Sequence, residues 1–178
     1  MKTAVITREK IKLSSAYHAL LKSCIDNLQE TLETLLLMEG ASSATLLQFK
    51  NIQLPHEFAF LLNIPLRMEP LITELETLSK RVEVAEKTAV IRECLLRAKS
   101  YITAGTKYLQ QLDKSSDFKK TITYKKKLEL KQEIPFAEYA RARKGWVKLH
   151  YTAGNTLSKA HQDLKRALYL SQQLAYDI

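Results

Sequence analysis

From Ile91 to Leu112 the apolar residues step by four and three in alternation: Ile91, Leu95, Ala98, Ile102, Gly105, Leu109, Leu112. A 3.5-residue repeat held this long is the period of a helix whose seam lies against other helices. A strand cannot use it, because strand side chains change face at every residue. Leu71, Leu75, Leu78, Val82, Ala85 and Ala89 carry the same alternation just upstream, on a stripe shifted from the second. Pro70 suits the first position of a helix, so the pattern predicts one helix over 70–112. The shift then marks a stutter or a change of partner helix. Glycine and proline number only four each in 178 residues, too few for the tight turns of a sheet protein and in keeping with long helices.

The same spacing recurs on both sides. Leu13, Tyr17, Leu20, Cys24, Leu28, Leu32 and Leu35 predict a helix over 7–39, with Gly40 just past its end. Residues 41–70 hold three prolines and a dense apolar set. We read 43–66 as a short helical plug on one end of the bundle. Phe49, Phe58, Phe60 and Leu62 are the residues that would meet a protein partner if that patch were exposed. Two further helices are expected over 135–151 and 155–176, separated by a break at Gly154-Asn155. The inner face of the first would carry Phe136, Ala140, Val147 and Tyr151; the stripe of the second runs through Leu157, His161, Leu164, Leu168, Ser171 and Ala175. The expected architecture is an all-α elongated bundle forming one domain over 1–178. A basic arm at 114–134 departs from it: Ile122, Tyr124, Leu128 and Leu130 fall at even positions around three lysines, a pattern for a short β-hairpin or an irregular arm over 119–131.

Charge is distributed unevenly. Residues 1–106 carry thirteen Lys/Arg and twelve Asp/Glu, a net of +1, whereas residues 107–178 carry fifteen and seven, a net of +8. Between Lys114 and Lys148 there are eleven basic and four acidic residues, interleaved with Phe118, Tyr124, Phe136, Tyr139 and Trp146. Lysine and arginine neutralise phosphates without reading sequence, and aromatic rings can stack on unpaired bases. The candidate nucleic-acid-binding residues are therefore Lys119, Lys120, Tyr124, Lys125, Lys126, Lys127, Lys131, Arg141, Arg143, Lys144 and Lys148.

Several classes of chemistry lack their residues. The glycines at 40, 105, 145 and 154 form neither a phosphate-binding P-loop nor a dinucleotide fingerprint. His150 and His161 would stand about 16 Å apart on a continuous helix, beyond the reach of metal bonds of about 2 Å. No metal site and no small-molecule cofactor is expected. Cys24 and Cys94 each sit in an apolar helical pattern, which suits buried free thiols in a reducing, cytoplasmic compartment. Uncharged stretches such as 40–49 and 167–176 reach half of the roughly 20 residues a membrane span needs.

Arg143 and His150 lie two helical turns apart, on one face. Their R-x6-H spacing resembles the paired arginine and histidine of HEPN-type ribonucleases. Confined to eight residues, with Lys144 where that family carries asparagine, the resemblance implies RNA cleavage by this pair. The leading expectation is instead a non-enzymatic helical subunit, without catalytic residues, that contacts nucleic-acid backbone within a larger complex. A helical adaptor that binds other proteins through its long helices and the apolar 46–66 patch is the alternative.

Overall fold

The computed structural model describes residues 13–38, 40–50, 56–82 and 84–174, with backbone alone at 48–50 and 56–62. Among them are six helices and no strand: α1 (Ser15–Met38), α2 (Ser43–Lys50), α3 (His56–Leu78), α4 (Ala85–Lys114), α5 (Ser116–Glu129) and α6 (Phe136–Leu174). The molecule is the all-α bundle that the heptad spacing predicts. No helix among the described residues is long and apolar enough to cross a membrane.

Cross-helix contacts fix the layout. Ser14 donates its N–H and hydroxyl to Glu74, and Arg67 donates to Ser23 at 2.7 Å, so α1 and α3 run antiparallel. Arg92 pairs with Glu76 at 3.0 Å and Lys99 with Glu69, which sets α3 antiparallel to α4. Arg97 meets Asp163 at 3.1 Å, setting α4 antiparallel to α6. Tyr17 meets Ser171, and His150 meets the Leu35 carbonyl, which closes the ring with α6 against α1. Exposed ion pairs of this kind stabilise by about 1 kcal/mol at most; they report register, while the core supplies the energy. That core joins Leu21, Cys24, Leu28, Ile64, Met68, Leu75, Ile91, Leu95, Ile102, Leu157 and Leu164 in one buried cluster. Each such aliphatic side chain removed from water contributes about 1.5–3 kcal/mol.

The second stripe is buried along its whole length, from Ile91 to Leu112, and its main partner is α6. The two axes come close at Gly105, where a Cβ would lie 2.5 Å from Leu157 Cδ2. Ala98 on α4 and Ala153, Ala160 and Ala167 on α6 keep the seam narrow on either side. Ser115 then interrupts the helix without reversing it. Phe118 packs on Trp146, and Tyr124 on Tyr139, so α5 follows α6 in the same sense as α4. α4 and α5 on one side and α6 on the other thus form one long antiparallel hairpin, closed at 130–135. At about 1.5 Å per residue α6 is about 58 Å long, and α1 ends beside its first third, where Leu35 meets His150. The hairpin tip therefore overhangs the four-helix ring, covered on one side by α2, which packs on α5 and α4.

Four expectations need correction. The helix over 70–112 is two helices: the chain turns at 79–84, and Pro65 and Pro70 both lie inside α3. The buried positions Ile64, Met68, Leu71 and Leu75 run past both prolines, which stand off that stripe, so packing outweighs the loss of two backbone donors. The shifted stripe marks this turn; Val82, expected inside, is 90% exposed. Second, Gly154-Asn155 does not break α6, since Ala153 and Leu157 stay in register on either side. Third, the inner face of α6 is Ala142, Trp146, His150 and Ala153, one residue away from the expected face, and Phe136, Ala140 and Tyr151 are exposed. Trp146 packs edge-to-face on Phe118 of α5 and His150 meets the Leu35 carbonyl of α1, so these neighbours decide which face of α6 turns inward. Fourth, 119–129 is helical and 130–131 the turn that caps it, rather than a hairpin or irregular arm. The plug is confined to α2, which begins at Ser43 as expected, and residues 7–12, 175 and 176 of the expected terminal helices lie outside the described residues.

Two glycines of α6 and α4 should respond oppositely to alanine. Gly105→Ala inserts a methyl against Leu157 and should cost about 1–2 kcal/mol net; Gly154→Ala meets nothing within 4 Å and should stabilise by about 0.5–1 kcal/mol. Urea titrations of both variants check the pair. The buried Tyr17 hydroxyl, pushed up to about 12 by burial, titrates near 10 once unfolded. Stability should hold below pH 10 and fall by roughly 2–3 kcal/mol as pH rises through 12. Tyr17→Phe should remove that alkaline limb from a series of unfolding titrations.

Candidate nucleic-acid interface

Ser115 is the local device that starts the basic helix. Its N–H caps α4 by donating to the Leu112 carbonyl, and its hydroxyl accepts from the Phe118 N–H at the start of α5. Asp117 sits in the first turn and Lys126 and Lys127 in the last, each on the favourable side of the helix dipole. Phe118, Thr121 and Ile122 turn inward, at helical spacing. Lys119, Lys120, Lys126 and Lys127 consequently fall on the outer side and are exposed, while Lys125 is half-buried. The serine-serine-aspartate run before Phe118 was the sequence signal for this helix; the even-spaced apolar residues masked it.

α5 is held on α6 by edge-to-face rings. Phe118 meets Trp146 at 5.6 Å between centroids, and Trp146 meets His150 at 5.6 Å. Nearer the tip, Tyr124 meets Tyr139 at 6.2 Å, and Tyr139 meets Phe136 at 6.2 Å. Each such pair adds about 0.5–1.5 kcal/mol beyond burial. Of the interleaved aromatics, then, Phe118 and Trp146 belong to the core, Tyr124 and Tyr139 are half-buried against each other, and Phe136 is 70% exposed.

Of the four acidic groups in this region, Glu129, Glu138 and Asp117 are engaged by neighbouring helices, while Glu133 is exposed. Glu129 accepts the Ser43 N–H at 2.9 Å and the Ser43 hydroxyl at 2.5 Å, and these two bonds hold its carboxyl below the usual range. Glu138 accepts the Tyr124 hydroxyl at 2.8 Å, which raises the tyrosine above its ordinary pKa. Asp117 lies against the backbone of α6 at Gly145, where any Cβ would overlap its carboxylate. On α6, Arg141, Arg143, Lys144 and Lys148 are exposed, and Arg143 and Lys144 line one groove with Phe136, Tyr139, Ala140 and Val147. The eleven candidate residues are thus brought to one projecting helical hairpin, with Lys125 and Tyr124 as its less exposed members.

The other candidate residues part company. His150 is 4% exposed, its Nε2 lies 2.6 Å from the Leu35 carbonyl, and its Nδ1 is buried without a partner. It lines a cleft of about 420 Å³ between α1 and α6 with Leu36, Tyr151 and His161, whereas Arg143 lines a different groove. The two residues whose spacing resembles the ribonuclease pair thus line different openings. His161, half-buried in the cleft, has its pKa lowered by burial and by Lys165. Cys24 and Cys94 are buried and free, with burial raising both thiols. The side chains of Phe49, Phe58, Phe60 and Leu62 lie outside the described residues.

Lys131 closes α5 at φ 56°, the left-handed region that favours glycine. Its N–H reaches the Leu128 carbonyl and the Gln132 N–H the Lys127 carbonyl, the paired bonds of a Schellman cap. Lys131→Gly should keep the cap, relieve the Cβ strain and raise stability by about 0.5–1 kcal/mol; a lower melting temperature would contradict this account of the tip. Compared with family models, curated proteins and solved structures, the chain finds no match in any of the three.

Proposed function

We propose that this protein is a non-enzymatic helical subunit that grips nucleic-acid backbone with the outer side of its α5–α6 hairpin, as part of a larger intracellular assembly. One observation carries the reading: Lys119, Lys120, Lys126, Lys127, Arg141, Lys144 and Lys148 are all exposed on one projecting element, while Glu129 and Glu138 of the same element are tied into internal hydrogen bonds. A surface of this kind attracts a polyanion through counterion release, with affinity falling linearly on a log–log plot against salt.

A protein-binding scaffold is the second reading, favoured by Leu36 and Leu37, which are 76% and 74% exposed at the end of α1. One titration separates the two. Binding to duplex and single-stranded oligonucleotides should be measurable at about 50 mM salt and weaken by about a thousandfold by 200 mM. Changing Lys120, Lys127, Arg141 and Lys144 together to glutamate should abolish it, with the helical circular dichroism retained because all four are exposed. Absence of wild-type binding at the lower salt leaves the scaffold reading in its place.

A further inference from the structure

Because α1 ends beside the first third of α6, no helix among the described residues lies against the flank of α6 nearer the tip that faces away from α5. Phe136, Tyr139, Ala140, Arg143, Lys144 and Val147 line a groove of about 300 Å³ there. Its lining is aromatic and aliphatic on the floor and cationic at the rim, and includes no carboxylate. Tyr139 is fixed between Tyr124 and Phe136, each ring nearly perpendicular to its neighbour, at 86° and 79°. This buttress holds Phe136 in place with its ring 70% exposed. Phe136 is thus the one ring of the basic region that is both positioned and free to be covered.

We infer that this groove takes a single unpaired base stacked on Phe136, so that the hairpin prefers single-stranded nucleic acid to duplex. The inference rests on the nucleic-acid reading above and goes beyond it. A duplex hides the faces of its bases within the stack and offers only phosphates to the lysines. A single strand can turn one base onto the ring while its flanking phosphates meet Arg143 and Lys144. The cationic rim suits that polyanion by charge, and the apolar floor gives the base a surface the lysines alone do not supply.

The test is fluorescence anisotropy of the full chain with a labelled single-stranded thymidine or uridine oligonucleotide, the matching duplex, and a poly-glutamate peptide. The proteins compared are wild type, Phe136→Leu and Phe136→Trp; the position is exposed, so both should fold. Wild type should bind the single strand more tightly than the duplex. Phe136→Leu should weaken single-strand binding about fivefold or more, leave duplex binding and the salt slope unchanged, and be rescued by Phe136→Trp. Equal single-strand affinity for wild type and Phe136→Leu overturns the inference while leaving backbone binding intact. So does a Phe136→Leu loss seen with poly-glutamate instead of the oligonucleotide, which would make the groove a peptide site. No wild-type binding to either nucleic acid overturns the underlying reading as well.

Discussion

The close approach of α4 and α6 is the constraint on which the rest of the molecule depends. With Leu157 seated over Gly105, the two longest helices share a seam too narrow for large side chains on both sides. Alanines at 98, 153, 160 and 167 fill that seam, and each larger side chain there must interleave rather than oppose another. A narrow antiparallel seam also fixes register, because a slip of one residue would set branched side chains against branched side chains. α1 and α3 are then laid into the groove on the remaining side, where they bring Leu21, Leu28, Leu35, Leu71 and Leu75 into the core.

Register carried past Ser115 explains the projecting tip. α5 continues along α6 in step with α4, so the hairpin extends beyond the point where α1 ends. Among the described residues the tip leans on α2, and the rings between α5 and α6 take over the role that the leucine core plays lower down. Eleven cations between Lys114 and Lys148 against four acids repel one another, a cost that aromatic packing and the Ser43–Glu129 bonds offset. A polyanion that neutralises such a surface relieves that repulsion, so binding and stability are linked.

Much of this was legible in the sequence, and the failures have identifiable causes. The stripe from Ile91 to Leu112 is buried at every position, since a sustained heptad leaves no other face to bury. Pro70 misled because a proline at a helix start and one on the outer side of a packed helix look alike in sequence; only the contacts of α3 distinguish them. The turn at 79–84 contains no glycine, proline, asparagine or aspartate; its trace is the shift between stripes. Along 119–131, Tyr124 and Leu128 gave a false two-residue period, whereas burial follows Phe118, Thr121 and Ile122. His150 shared a spacing with Arg143, but spacing along one helix says nothing of the carbonyl on α1 that occupies its Nε2.

Local chemistry by itself determined the all-helical class, the burial of both cysteines and the confinement of the charge surplus to the last two fifths of the chain. These follow from periodicity and composition, which act over one or two turns. The tertiary structure alone decided which residues of α6 face inward, where the long helix divides, and that Phe118 and Trp146 are core while Phe136 is surface. The reason is geometric: a helix offers several plausible apolar faces, and the one it buries is chosen by how closely its neighbour approaches, which is a property of the pair.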